Sequence, residues 1–291
     1  RMWVRRAWAV GSRVVGMRWS SGSAVVPSGG EGRVLSPAER ARALVETRIS
    51  GTLSTVQARA GCGDGAEKTP PLFGGLMPYV LGNGAPVLGL RSSEQHARNL
   101  AVLPHASLMV FSLTPRQHNP VQFPLPRVNI AGTTEIMTDA KQIHLTKELY
   151  MQVHPGSRDY LEEFDYYVLK PEKLALGRGG RDQAKVDLIT AKEYEEAPLD
   201  PLAGSVRAIV DVVNKRFSDE LVKLCKKYGG EEVEEAFLFH ADKYGFDAMG
   251  RKAEKSPDGR EQWIEFRFPV SEELEDKEMA VAAVLEAASN S

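Results

Sequence analysis

The stretch from Phe73 to Phe111, FGGLMPYVLGNGAPVLGLRSSEQHARNLAVLPHASLMVF, restricts the fold more than any other part of the chain. Inside it Gly82-Asn-Gly-Ala85 separates two apolar runs, Leu76 to Leu81 and Pro86 to Leu90. Asn and Gly accept positive φ at little cost, so the pair signals a tight hairpin and antiparallel strands. The second run passes into the polar turn Arg91-Ser-Ser-Glu94 and a helix that stops before Pro104. Ala106 to Leu113 reads as a further strand of the buried type.

The same stretch concentrates chemistry. Arg91, Ser92, Ser93, His96, Arg98 and Asn99 lie within nine residues, just past a strand end. A helix start offers free N–H groups and the positive end of its dipole, which suits an anion. Arg adds a planar fork that matches phosphate or carboxylate. The competing reading is a solvated helix start whose polar residues only cap and solubilise.

Around this centre the chain alternates short strands with few helices. Ser36-Pro-Ala-Glu39 has capping-box spacing with Pro at the first helical position. Gly51 to Val56 is a β-branched strand, Ala58 to Pro71 a loop, and Thr114 to Pro126 a proline-rich loop. Arg127 to Ile136 alternates as a strand. A helix from Asp139 to Val153, capped by Thr138 or Asp139, ends at Pro155. Glu163 to Pro171, Lys173 to Leu176 and Lys185 to Ile189 give three more strands. This pattern predicts an α+β fold with a small closed or split β-barrel over residues 31–196.

Glu195 to Pro201 reads as a linker, after which the pattern changes. Val206, Ile209, Val210, Val213, Phe217, Leu221, Leu224 and Tyr228 predict one helix ended by Gly229-Gly230. Ala236 to Ala241, Phe246 to Gly250 and Trp263 to Phe268 follow as antiparallel strands, with Pro257-Asp-Gly259 as a turn. A helix from Ser271 to Ala288 closes the chain. Residues 197–291 are thus expected to form a helix–antiparallel sheet–helix accessory domain.

Residues 1–30 hold five Arg, with Trp3, Trp8, Val14, Val15 and Met17 between them, and no Asp or Glu. That composition is expected of an organelle transit peptide, and Arg18-Trp-Ser-Ser21 favours the mitochondrial matrix, with the plastid as alternative. Loss of the five Arg would take the net charge from −2 to −7. An acidic chain argues against general nucleic-acid binding. No apolar run reaches the ~18–20 residues of a membrane span. Cys62 and Cys225 match no disulfide or zinc spacing. His105, His118, His144 and His154 are scattered without metal spacing, and His240, in an apolar strand, reads as a satisfied core histidine. The acidic runs Glu231 to Glu235 and Glu272 to Glu278 read as solvated faces.

Gly51-Thr-Leu-Ser-Thr55, Met77-Pro-Tyr79, Gly84 to Leu88, His96-Ala-Arg-Asn-Leu100, Pro104 to Leu108, Tyr150 to Pro155 and Phe164 to Pro171 occur in one order. Together they resemble the FMN-binding split-barrel superfamily of pyridoxamine-phosphate-oxidase-like proteins. The likeness is nearest the branch with HugZ-type heme oxygenases and the glutamyl-tRNA-reductase-binding protein. Asp242 to Phe246 and Ile264 to Pro269 resemble the small domain that accompanies that barrel. The chain differs at Arg91, where HugZ-like chains have Ser, and at Arg178-Gly-Gly180, where they have Gly-Phe-Gly. Val213 to Phe217 keeps only the Asn of their Met-Asn-x-Asp-His.

The resemblance implies FMN or heme held at a homodimer interface beside Arg91, Ser92, His96, Arg98 and Asn99. The chemistry would be flavin-dependent redox or HugZ-like heme degradation, with the cofactor supplying reactivity. The other expectation is a cofactor-free barrel acting as a regulatory or structural subunit of a larger complex, because no residue stands out as a general acid or base.

Overall fold

A capping box opens the first element. Ser36 Oγ accepts from Glu39 N at 3.3 Å, while the Glu39 carboxylate accepts from Ser36 N at 2.9 Å, starting α1 (Pro37–Thr47). The computed structural model describes residues 33–57, 71–112, 125–177, 185–229, 232–255 and 261–289. The segment read as a transit peptide, Cys62, His118, Arg178-Gly-Gly180 and Pro257-Asp-Gly259, read as a turn, lie outside them, as do most of the loops read at 58–71 and 114–126.

The barrel strands are β1 (Ser50–Val56), β2 (Leu72–Pro78), β3 (Val80–Gly82), β4 (Ala85–Arg91), β5 (His105–Phe111), β6 (Arg127–Ile136), β7 (Phe164–Gly177) and β8 (Val186–Thr190). Their order is β2-β1-β5-β6-β7-β4-β3, with β8 on β7 and every pair antiparallel. The hairpin falls where it was read, with φ 52° at Asn83 and 83° at Gly84.

Two strand readings are corrected. The run Leu76 to Leu81 is divided between β2 and β3 at Tyr79. Tyr79 N–H turns to Ile49 O at 3.0 Å and its hydroxyl donates to Val45 O at 2.7 Å, carrying the chain between the two ends of the curled sheet. Conversely, Glu163 to Pro171 and Lys173 to Leu176 are one strand, β7, with an irregularity where Gly132 faces Pro171 and Ala131 faces Lys173. Pro171 has no N–H to give the ladder, so the extra residue is placed there. A Cβ on Gly132 would lie 1.9 Å from Lys170 O, so only glycine fits opposite.

Helix α2 (Gln95–Val102) follows β4 directly. Helix α3 (Ala140–Val153) is capped by Asp139, whose Oδ1 accepts from Gln142 N, and a 3-10 segment, Pro155–Glu163, leads into β7. A short helix, α4 (Ala191–Glu196), occupies the start of the region read as linker, because Thr190 and Glu193 form a second capping box.

The second unit holds α5 (Val206–Arg216), α6 (Ser218–Gly229), β9 (Val233–Asp242), β10 (Gly245–Lys252), β11 (Trp263–Pro269) and α7 (Lys277–Ser289). The sheet runs β11-β10-β9, all antiparallel. The expected single helix is two, broken at Phe217 with ψ 30°. Lys215 and Arg216 end the first and Asp219 and Glu220 begin the second, so each charge faces its favourable dipole end. Helix α7 begins at Lys277 rather than Ser271, since buried Leu274 donates its N–H to Lys243 O instead.

Each sheet has its own core. Leu53, Leu88, Leu90, Leu108, Ile130 and Leu169 fill the barrel, while Ile209, Val213, Leu224, Leu238, Phe268 and Val284 bind the second sheet to its helices. The fold is α+β, a split barrel followed by a small antiparallel sheet with helices. No helix among the described residues is long and apolar enough to cross a membrane.

Candidate functional site

The strand-to-helix turn divides the five expected site residues into two sets. Arg91, Ser92 and Arg98 stand at the surface, whereas His96 and Asn99 are buried. The surface set is held by local contacts. Arg91 Nε donates to Glu94 Oε1 at 3.0 Å, and its guanidinium lies 5.4 Å from the Tyr160 ring centroid. Arg98 donates to Ser93 O at 2.6 Å and to Gln95 Oε1 at 2.7 Å. The Glu94 side chain therefore ties down Arg91 and does not cap α2.

The buried set meets Thr55, which the sequence reading did not single out. Thr55 points into the barrel by the alternation of β1 and is 1% exposed. Its Oγ1 accepts from Asn99 Nδ2 at 2.9 Å and lies 3.0 Å from His96 Nδ1. Thr55 can donate its proton to Nδ1 while accepting from Asn99, and in that arrangement the histidine proton is on Nε2. That Nε2 is buried without a hydrogen-bond partner, beside Gly75 and with the Phe73 ring 4.8 Å away edge-on. A Cβ on Gly75 would sit 3.1 Å from it, so the glycine keeps that approach open. Burial pushes the His96 proton affinity below its ordinary value, with Glu94 opposing. At neutral pH the ring is neutral, and in that tautomer Nε2 offers an N–H to an acceptor such as a carboxylate.

Strand β2 carries Phe73 and Gly75 on an edge of the sheet. On its other face Leu72 is 77% and Leu76 74% exposed. They belong to a continuous outer face: Leu76, Thr52, Met109, Asn129, Ala175 and Leu188 form one row across six strands. All six are half-buried or exposed. Such an apolar, uncovered sheet face is a surface for a partner or a flat ligand.

The remaining histidines differ. His154 Nε2 bonds Tyr79 O at 2.9 Å and fastens α3 to the barrel. His105 and His144 are exposed, the latter 3.5 Å from Glu148. His240 is buried as expected, yet its Nε2 is also without a partner, which corrects its reading as a satisfied histidine.

Residues 33–196, more than half of the chain, match the model of the CREG β-barrel family. The chain belongs to that family. The split-barrel resemblance read from the motifs therefore holds. Among relatives of this CREG-barrel chain is the chloroplastic heme oxygenase HOZ of Arabidopsis thaliana, 22% identical over 222 residues. The match covers 73% of this chain and 63% of the relative, so the chain spans less than two thirds of that protein's length. The heme-binding protein of Mycobacterium smegmatis shares the fold, with a TM-score of 0.56 and 23% identity over 89% of this chain and 98% of that one. The chloroplast relative overturns the mitochondrial reading of the N-terminal segment. An Arg- and Ser-rich, acid-poor start is common to both organelles, so its composition could not separate them.

Proposed function

We propose that this CREG-barrel chain is a plastid heme-binding protein that holds its cofactor at the margin of the outer barrel face, within a homodimer. The observation that carries the proposal is the bare outer face with Leu72 and Leu76; the surface cations Arg91 and Arg98, and the buried Nε2 of His96 behind the inner face of the same edge strand, support it. Heme is a flat apolar ring with two carboxylates, so its recognition calls for apolar contact and cationic or N–H partners. Leu72 and Leu76 would contact the ring and Arg91, Ser92 and Arg98 would receive a propionate, while His96, held by Thr55 and Asn99, would support the edge strand from its inner face. Bound heme would supply oxygen and electron-transfer chemistry, while the chain binds, orients and excludes water. The named roles of the two relatives support heme over flavin mononucleotide. In this reading residues 1–30 direct import into the plastid, 31–196 carry the site, and 197–291 form the accessory unit.

The outer face would be shared with a second copy, since a C2 pair is the default for such a surface. The test is titration of the purified protein with hemin and, separately, flavin mononucleotide, followed by absorption and light scattering. A Soret band saturating at one heme per chain in a dimer is expected. Flavin binding instead, or no ligand with an intact fold, would sink the proposal; the latter would favour a regulatory subunit. Leu76→Asp should yield a folded monomer that binds hemin weakly.

A further inference from the structure

Between the two sheets lies a cleft of about 560 Å³, lined by Arg40 from α1, Asp187 from β8, and Asp242, Asp247, Glu265 and Arg267 from the second sheet. Behind its floor is His240, 6% exposed, with Nε2 unpartnered. We propose that His240, Asp242 and Asp247 form a binding site for a divalent transition-metal ion. Nothing in the heme reading requires it.

The geometry is that of ligands rather than of an ion-pair network alone. One ligand atom from each residue lies within 4.8 Å of the other two. His240 Nε2 stands 3.8 Å from Asp242 Oδ2, too far for a hydrogen bond. Two atoms each ~2.0–2.2 Å from one tetrahedral metal would be spaced only slightly closer. Arg267 bridges the two carboxylates through their other oxygens, at 2.7 Å to Asp242 Oδ1 and 3.2 Å to Asp247 Oδ1. Tyr244 N adds a bond to Asp242 Oδ1 at 2.8 Å. Asp242 is thus oriented with Oδ2 turned toward the histidine, as second partners orient metal ligands elsewhere.

Asp247 Oδ2 is taken by Arg40 at 3.1 Å. Arg40 comes from the barrel side and also approaches Glu265, at 3.9 Å. It is a displaceable internal cation, and an incoming ion would exchange it from Asp247 toward Glu265. One imidazole and two carboxylates suit zinc, manganese or ferrous iron, while calcium prefers six to eight oxygens. Because Arg40 joins α1 to the second sheet, occupancy would also weaken that contact between the two units.

The test uses the full chain, freed of metal with a chelator and titrated with Co2+ for visible d–d absorption and Zn2+ for calorimetry. One ion per chain is expected. His240→Gln and Asp242→Asn should each abolish the cobalt band. Arg40→Gln removes the competitor and should bind at least roughly tenfold tighter. An ion-pair network with no metal role predicts the reverse for Arg40→Gln, a weaker structure and no affinity. Absence of the band from wild type overturns the proposal, even if Arg40→Gln binds. Binding that survives both ligand substitutions overturns it as well.

Discussion

Two buried histidines, His96 on α2 beside the barrel and His240 on β9 of the second sheet, share an unpartnered Nε2 and little else. His96 touches neutral groups, Thr55 and Asn99 on one side and Gly75 and Phe73 on the other, with the Glu94 carboxylate acting on it from the helix start. His240 faces two carboxylates, Asp242 and Asp247, and two guanidiniums, Arg40 and Arg267. Burial lowers the proton affinity of both, but at His240 the two aspartates pull the other way. At Asp247 burial acts to raise the pKa, yet Arg267 and Arg40 hold it below the usual carboxylate range. The same side chain is therefore set up as a neutral donor in one unit and as a member of a charged cluster in the other. Burial sets the direction of the shift at both histidines, whereas at Asp247 the neighbouring guanidiniums overturn it.

The sharpest way to break this comparison is to remove a charge from the second cluster. Asp247→Ala leaves Arg267 and Arg40 facing a buried void, and its cost should be about 3–5 kcal/mol in urea unfolding. At the neutral site, Thr55→Val removes the hydrogen-bond partner of His96 Nδ1 and an acceptor of Asn99 and should cost about 1–3 kcal/mol. If the threonine change proves the more damaging of the two, the contrast between charged and neutral surroundings is wrong.

Acidification probes the neutral site by itself when read through a His96 variant. A histidine with a depressed folded pKa contributes stability that is fully present above its unfolded value, near 6.5 for His96, and lost as pH falls through the lower folded value. Melting temperature should therefore drop as pH falls below about 6.5. His96→Gln should remove part of that dependence; an unchanged slope would show that the imidazole is not held neutral. The smallest effect on stability is expected at the rim. Arg98→Ala should change it by no more than about 0.5 kcal/mol. It should nevertheless weaken hemin binding roughly tenfold to a hundredfold, the loss of a charge-assisted bond worth about 1.5–3 kcal/mol. Arg98→Lys should recover only part, because the charge returns without the planar fork. Unchanged hemin affinity with a large fall in melting temperature would make Arg98 structural.

What the sequence by itself determined was whatever is encoded within a few residues. The Asn83-Gly84 turn, the Ser36 cap, the strands β1 and β5 and the alternation of β6 are all local, and each was legible. Helix α2 was legible too, but not the contrasting fates of its residues, since His96 and Asn99 depend on a threonine more than forty positions earlier. The break at Phe217 escaped because the apolar spacing continues through it, and α5 and α6 separate only where each must follow the second sheet. The joining of two expected strands into β7 depended on Gly132 lying opposite Pro171, a matter of register between distant segments. Only the tertiary structure brought Arg40 to Asp247, 207 residues apart, and left His240 without a partner among them. Turns and caps answer to dihedral preferences and hydrogen bonds inside the segment. Which charges meet in a buried cleft is decided when the two units pack and water is excluded, and no periodicity records it.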